Sequence, residues 1–174
     1  NVSKTFRRQR VLDGLCLQVG AQDRVALIGS NGAGKTTLIR CMLGELTYEG
    51  SILIDGKSPR ADRRDVLAGI GFVPQLPPPL RMPVSELIRF AAAVSGGRQQ
   101  PILDVLGRMG LDLAEVAGKP FVKLSGGQKQ KILAAIALGR PTRLLILDEP
   151  TANLDPAARQ VLFELLAQRS NDPV

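Results

Sequence analysis

Eight consecutive residues, Gly29-Ser30-Asn31-Gly32-Ala33-Gly34-Lys35-Thr36, fill the pattern G-x-x-x-x-G-K-[ST] at every fixed position. Glycines let the backbone curl until its N–H groups face an anion, and a helix opening at Lys35 adds the partial positive charge of its N-terminus. The chemistry such a loop serves is the holding of a phosphate chain. Lys35 then neutralises β- and γ-phosphate charge, and the Thr36 hydroxyl ligates Mg²⁺.

Two further runs carry matching chemistry. Leu144-Leu145-Ile146-Leu147-Asp148-Glu149 is an apolar stretch ending in two carboxylates. On a buried strand Asp148 falls at the carboxyl end, where open α/β sheets bind ligands and where an acid holds Mg²⁺ through its waters. Glu149, one residue on, is free to take a proton from an attacking water. Alone the pair reads as a solvated turn; in a chain with a phosphate loop it reads as part of a site. Leu124-Ser125-Gly126-Gly127-Gln128 sets a hydroxyl and bare backbone N–H groups ahead of a helix, which makes a second anion site out of what is otherwise a turn. Lys129 and Lys131 lie in the first turns of that helix, where cations are mildly unfavourable unless an anion occupies the end.

These groups need elements to position them. Residues 24–28 read as a short buried strand running into the glycine loop, and 35–43 as the helix that follows. Apolar runs at 52–54, 70–73 and 144–147 are continuous, which predicts parallel strands covered on both faces, while 15–19 alternates and predicts an antiparallel edge. Helices are predicted over 84–94, 102–109 and 125–138. Asp155-Pro156 supplies an N-cap acceptor and then proline at the first helical position, with Val161, Leu162, Leu165 and Leu166 on one face of the helix it starts. Strands alternating with helices give an α/β fold. The helix-rich stretch 76–124, entered through Pro77-Pro78-Pro79, reads as an insertion.

Composition excludes several other chemistries. The 174 residues are 44% hydrophobic and 22% charged, enough to bury one core and unlike a disordered tail. With no histidine, the chain holds no Ser-His-Asp triad, no histidine zinc site and no imidazole acid or base. No apolar run approaches the roughly 20 residues that span a bilayer. Cys16 and Cys41 sit in apolar settings without metal-type spacing and read as reduced core thiols. A net charge of +7 suits phosphate-rich ligands or an anionic membrane surface nearby. One Tyr and five Phe are too few for the stacking platforms of single-strand binders, which weakens nucleic acid as a partner.

In their order along the chain the three runs resemble the ATP-binding cassette of ABC transporters: GSNGAGKT its Walker A, LSGGQ its signature sequence and LLILDE its Walker B. The resemblance covers essentially the whole chain. It implies a P-loop NTPase of the ABC ATPase type, with a mainly parallel core sheet, an antiparallel β edge and an α-helical subdomain. Residues 1–75 and 125–174 would form the ATP-binding core and 76–124 the helical subdomain. ATP and Mg²⁺ are the implied cofactors. The nucleotide would lie against Gly29, Ser30, Asn31, Gly32, Ala33, Gly34, Lys35, Thr36 and Thr37, with Thr36, Gln75 and Asp148 toward the metal. Gln75, in Phe72-Val73-Pro74-Gln75, resembles the Q-loop glutamine and joins Glu149 as a catalytic candidate. Asp155, in Ala152-Asn153-Leu154-Asp155, is similar to the D-loop aspartate near the nucleotide. Phe6 falls where an aromatic residue stacks on adenine, core packing being its other reading.

The same resemblance implies partners. Two cassettes, identical or not, would pair head to tail, so that Ser125, Gly126, Gly127 and Gln128 of one cover the γ-phosphate held by Lys35 of the other. Transmembrane permease subunits would dock on the helical subdomain, placing the protein peripherally on the cytoplasmic face of a membrane, with no nucleic acid expected. The implied activity is ATP hydrolysis that powers solute transport, leaning to the exporter type because the layout is compact. The alternative is a soluble ABC ATPase acting on ribosomes or nucleic acid. The family's switch histidine is absent, and the chain opens without Met, so a cassette truncated at both ends is expected, binding ATP but impaired in turnover. Lys35→Ala is expected to weaken ATP binding by about tenfold or more, the worth of a charge-assisted contact. Equilibrium titration with a fluorescent ATP analogue checks this.

Overall fold

Antiparallel pairing organises residues 1–67, the first of two compact units in a computed structural model that describes residues 1–169. Strand β1 (Val2–Phe6) lies between β2 (Gln9–Leu15) and β3 (Glu49–Gly50), both antiparallel to it. The first hairpin turns tightly, with Phe6 opposite Gln9 and Arg7 left-handed at φ 53°. Helix α1 (Lys35–Met42) packs on β2 and buries Leu38 and Cys41 with Val2, Leu12 and Tyr48. The helix stops where Gly44 takes φ 65°, a left-handed terminus that L side chains rarely adopt. Arg63, at the start of α2 (Arg63–Ala68), donates to the carbonyls of Leu43 (3.0 Å) and Gly44 (2.5 Å), a cation set on the negative end of α1.

Four expectations fail in this unit. The segment 24–28 joins no strand: its unit's sheet has the order β2-β1-β3, and Ile28 is 93% exposed. An apolar run codes for burial, but a parallel strand also needs a neighbour of matching direction, and the three strands of this sheet pair only with one another. The antiparallel edge lies at 9–15 and not 15–19, leaving Leu17 and Val19 exposed, and 52–54 contributes only an isolated bridge from Ile54 to Lys57. Cys16 is exposed because it follows the last residue of β2, whereas Cys41 is fully buried and its thiol is pushed up by that burial.

The second unit begins at Ala68 and has a larger core. Strands β4 (Ile70–Val73) and β5 (Leu144–Leu147) pair in parallel, Ile70 with Leu144 through Val73 with Leu147, as their continuous apolar runs predict. Between β4 and the glycine pair of the third motif the chain is helical. It runs through α3 (Val84–Val94), α4 (Gln100–Arg108), α5 (Leu113–Val116) and a 3₁₀ turn, Phe121–Lys123. Helix α6 (Gly126–Leu138) then packs against β4, α3, α4 and α7 (Pro156–Arg169). The predicted spans for α3, α4 and α6 agree with these within a few residues. The last five residues of the expected ATP-binding core, 170–174, lie outside the described residues.

Close approach, not propensity, decides the glycines of this core. A Cβ on Gly139 would stand 2.5 Å from Ile102 Cα, so α6 could not end against the start of α4. Gly107, on α4, faces open space. Gly139→Ala is therefore expected to destabilise by about 1–3 kcal/mol through overpacking. Gly107→Ala should instead stabilise by about 0.5–1 kcal/mol, since an alanine loses less freedom in a helix. Urea unfolding of the two variants measures both signs.

Candidate functional site

In the first unit the glycine loop closes onto its own lysine. Gly34 takes φ 95° at the N-cap of α1, a conformation only glycine holds without strain, and a Cβ there would press on Leu12 Cδ2 and the Val11 carbonyl at 3.0 Å. The Ala33 N–H donates to the Ser30 carbonyl (3.1 Å), and the Leu38 N–H to the Gly34 carbonyl (2.8 Å). Lys35 Nζ folds back to donate to the carbonyls of Gly29 (2.6 Å) and Ser30 (3.0 Å). The cation is thus held across the loop mouth, where an arriving phosphate can compete for it. No acidic side chain occupies the first turn of α1, so nothing there opposes an anion. Asn31, Gly32 and Thr36 are exposed and Thr37 half-buried, with Leu38 and Ile39 anchoring the helix from behind.

Phe6 is 41% exposed at the end of β1, with Lys4 Nζ 4.8 Å over its ring. The core-packing reading of this residue is overturned. The reason is position along the strand: β1 is covered near its start, where Val2 and Ser3 are buried, and runs out into solvent by Phe6.

The second unit brings three of the predicted groups to the carboxyl end of its parallel pair. The Asp148 N–H continues the ladder by donating to the Val73 carbonyl (2.9 Å), which stations the Asp148 side chain just past β5. Gln75 Nε2 donates to Glu149 Oε2 at 2.9 Å, joining residues 74 positions apart. Glu149 has φ 51°, an unusual conformation for a residue with a Cβ, and such strain concentrates at functional positions. Donor chemistry in this unit fits a hard divalent cation, Gln75 offering an amide oxygen and Asp148 a carboxylate, oxygen ligands of the kind Mg²⁺ takes in small number beside water and phosphate; in the first unit the exposed Thr36 offers a hydroxyl of the same kind.

Ser125 caps α6 in a full capping box. Its Oγ accepts from the Gln128 N–H (3.2 Å), and Gln128 Oε1 accepts from the Ser125 N–H (3.1 Å). The Gln128 amide oxygen is thereby engaged by its own helix, leaving its Nε2 to donate, and the Ser125 hydroxyl also keeps its proton to donate. Gly126 and Gly127 lie against Asn153, whose carbonyl stands 3.0 Å from where a Gly127 Cβ would sit. Both oxygens of Asp155 are also engaged within the chain: Oδ1 accepts from the Ala158 N–H (2.8 Å) to cap α7, and Oδ2 pairs with Lys131 Nζ (2.8 Å). Lys131, read from sequence as a cation at an unfavourable helix end, has this partner. The buried Gln130, which no motif singles out, donates from Nε2 to the Pro150 carbonyl (3.1 Å). Its one readable signal is a polar side chain just ahead of the apolar run at 132–138.

Residues 12–152 match the ABC transporter family. The chain belongs to that family. It is 35% identical over 171 residues to the zinc import ATP-binding protein ZnuC of Photorhabdus laumondii, covering 97% of this chain and 61% of that protein. With the protein of the same name from Magnetococcus marinus it shares 35% over 162 residues, covering 91% of this chain and 56% of the relative. The chain thus spans little more than half the length of these relatives. A solved ATP-binding subunit of an ABC transporter superposes with a TM-score of 0.86 at 28% identity, over 97% of this chain and 72% of that one. These similarities bear out the ABC ATPase fold, and the family works with ATP and Mg²⁺. They correct the exporter lean: both curated relatives are import proteins by name, and a compact layout does not distinguish direction. Neither do they support a soluble ATPase acting on nucleic acid. No helix among the described residues is long and apolar enough to cross a membrane.

The Asp155 carboxyl is held below the usual range, first by its hydrogen bond from Lys131 and then by that from Ala158. A carboxyl depressed on folding contributes stability above its unfolded value and loses it as pH falls through the folded one. Wild type is therefore expected to exceed Asp155→Asn in stability at neutral pH, with the gap closing below the ordinary carboxylate range. Urea unfolding of both proteins across an acid series tests the sign.

Proposed function

We propose that this protein is the ATP-hydrolysing subunit of an ABC transporter, and that it energises import through separate membrane subunits. The observation that carries the reading is the hydrogen bond from Gln75 to Glu149 at the carboxyl end of β5, beside the Asp148 carboxylate in sequence. A carboxylate there, anchored by an amide and next to a metal-binding acid, is what water attack on a phosphate requires.

The residues divide the work by chemistry. The loop from Gly29 to Thr37 wraps the phosphates, and Lys35 leaves the carbonyls of Gly29 and Ser30 to neutralise their charge. Thr36, Gln75 and Asp148 would each offer Mg²⁺ an oxygen ligand, and the ion would supply positive charge against that spreading over the γ-phosphate oxygens. Gln75 orients the water and Glu149 takes its proton. Phe6, exposed at its strand end, stacks on the adenine. Ser125, Gly126 and Gly127 face the γ-phosphate bound by a second cassette, with Gln128 and Asp155 keeping that surface in shape. The ATP-binding core spans 1–75 and 125–174; the helical region, 76–124, receives the permease and puts the protein on the cytoplasmic face of the membrane. Similarity to zinc import proteins favours a divalent metal as the cargo.

Glu149→Gln is expected to leave ATP affinity unchanged and to lower hydrolysis by about 10²–10⁴-fold, the usual worth of a general base. Phosphate release and nucleotide titration of the intact ATPase read the two quantities. Undiminished turnover would remove Glu149 from its role. Co-purification with a polytopic membrane subunit, and ATP-dependent uptake of radiolabelled zinc, test the transporter reading; ribosomes in place of a membrane partner would defeat it.

A further inference from the structure

The residue that holds Glu149 in place lies on a different element. Glu149 sits at φ 51°, and a side-chain-bearing residue stays in that region only where its surroundings over-determine it. Its own turn supplies one weak tie, the Ala152 N–H to the Glu149 carbonyl at 3.2 Å. The second peptide after Glu149, Pro150–Thr151, is gripped from α6: Gln130 Nε2 donates to the Pro150 carbonyl at 3.1 Å. One helical position on, Lys131 Nζ pairs with Asp155 Oδ2 at 2.8 Å and secures the far end of the same turn. Leu154, buried between those two tethers in sequence, closes it onto the core.

Gln130 is an expensive way to make this contact. Its side chain is 1% exposed, and its Oε1 has no donor among the described residues. A buried amide that satisfies only one end costs the fold more than an apolar side chain of the same length would. Stability alone gives no reason for a glutamine at this place. Its single bond, however, falls on the Pro150 carbonyl, one residue past the strained Glu149, where the fixed ring of Pro150 couples the two backbones.

We propose that Gln130 is a positioning residue for hydrolysis: from the buried side of α6 it fixes the Pro150 peptide and so holds the strained Glu149 backbone in the conformation that presents its carboxylate. This rests on Glu149 acting as the general base. It also links the helix capped by Ser125 to that base through the Pro150 carbonyl, since the capping box and Gln130 lie within two turns of one helix.

The test uses Gln130→Met, nearly the same length and volume but with no donor, in the intact ATPase. Turnover is expected to fall by about tenfold to a hundredfold, the range for a reacting group displaced by about an ångström. KM for ATP and ATP affinity should stay at the wild-type level, and Tm should hold near it, because the unsatisfied Gln130 carbonyl goes together with the donor to the half-buried Pro150 carbonyl. Gln130→Asn keeps the amide but draws it back by one carbon–carbon bond. It should lose kcat likewise, which separates donation from mere polarity and decides the matter if Gln130→Met does not fold. Wild-type kcat in a folded variant overturns the proposal, and so does a kcat loss matched by weaker ATP binding or a lower Tm, the mark of a general structural role. Glu149→Gln measured alongside keeps the two readings apart. If it retains turnover, the assignment of the base fails; if it abolishes turnover while the Gln130 variants do not, only the positioning role fails.

Discussion

Helix α6 has buried or half-buried side chains at every position from Gln130 to Leu138, so it must meet neighbours all round, and the second unit is arranged to supply them. β4 approaches one side closely enough that a Cβ on Gly71 would stand 2.7 Å from the Ala137 carbonyl. α4 comes in at Gly139, and α3 and α7 cover the rest. Alanine at 134, 135 and 137 is what makes such approaches sterically possible. Because the helix is enclosed it cannot shift without moving everything packed on it. A group fixed to α6 is therefore fixed to the core.

The candidate chemistry exploits that rigidity at both margins of the helix. At its N-terminus the Ser125 and Gln128 side chains each accept from the other's backbone N–H, leaving the Ser125 hydroxyl and the two glycines as a small polar surface beside Asn153. Further along, Gln130 and Lys131 reach across to the turn that follows Asp148 and Glu149. Strain at Glu149, the hydrogen bond from Gln75 and the tether at Pro150 converge on one carboxylate. In the first unit the arrangement is the reverse: the loop is built to yield. Lys35 is held only by carbonyls of its own loop, a neutral and replaceable set of acceptors. An anion with full charge outcompetes them.

Much of this was legible in the sequence. The parallel pair β4 and β5 could be read from continuous apolar runs, α3 and α6 from their helical stretches, and α7 from Asp155-Pro156. The phosphate loop, the two carboxylates and the Ser-Gly-Gly turn could be read from residue types alone, because each chemistry admits few alternatives. Local signals misled where a neighbour was required. Residues 24–28 are as apolar as 70–73, yet only the latter found a ladder, since strand formation depends on a partner that lies elsewhere in the chain. Cys16, read as a core thiol, is exposed, and Phe6 had two readings, for a similar reason: each lies at a strand's end, where a small offset decides between core and solvent.

Sequence by itself determined which groups this protein can use: an amine, a hydroxyl, two adjacent carboxylates, an amide and bare N–H groups, with no imidazole among them. Those are properties of residue type and spacing and survive any folding. Only the tertiary structure decided what each group touches. That Gln75 meets Glu149 across 74 positions, that Asp155 is bound by Lys131 and that an unremarked Gln130 grips the turn behind the base are all outcomes of packing. Hydrogen bonds between distant residues form only after the core has brought their elements together, and no local pattern encodes the register in which that happens.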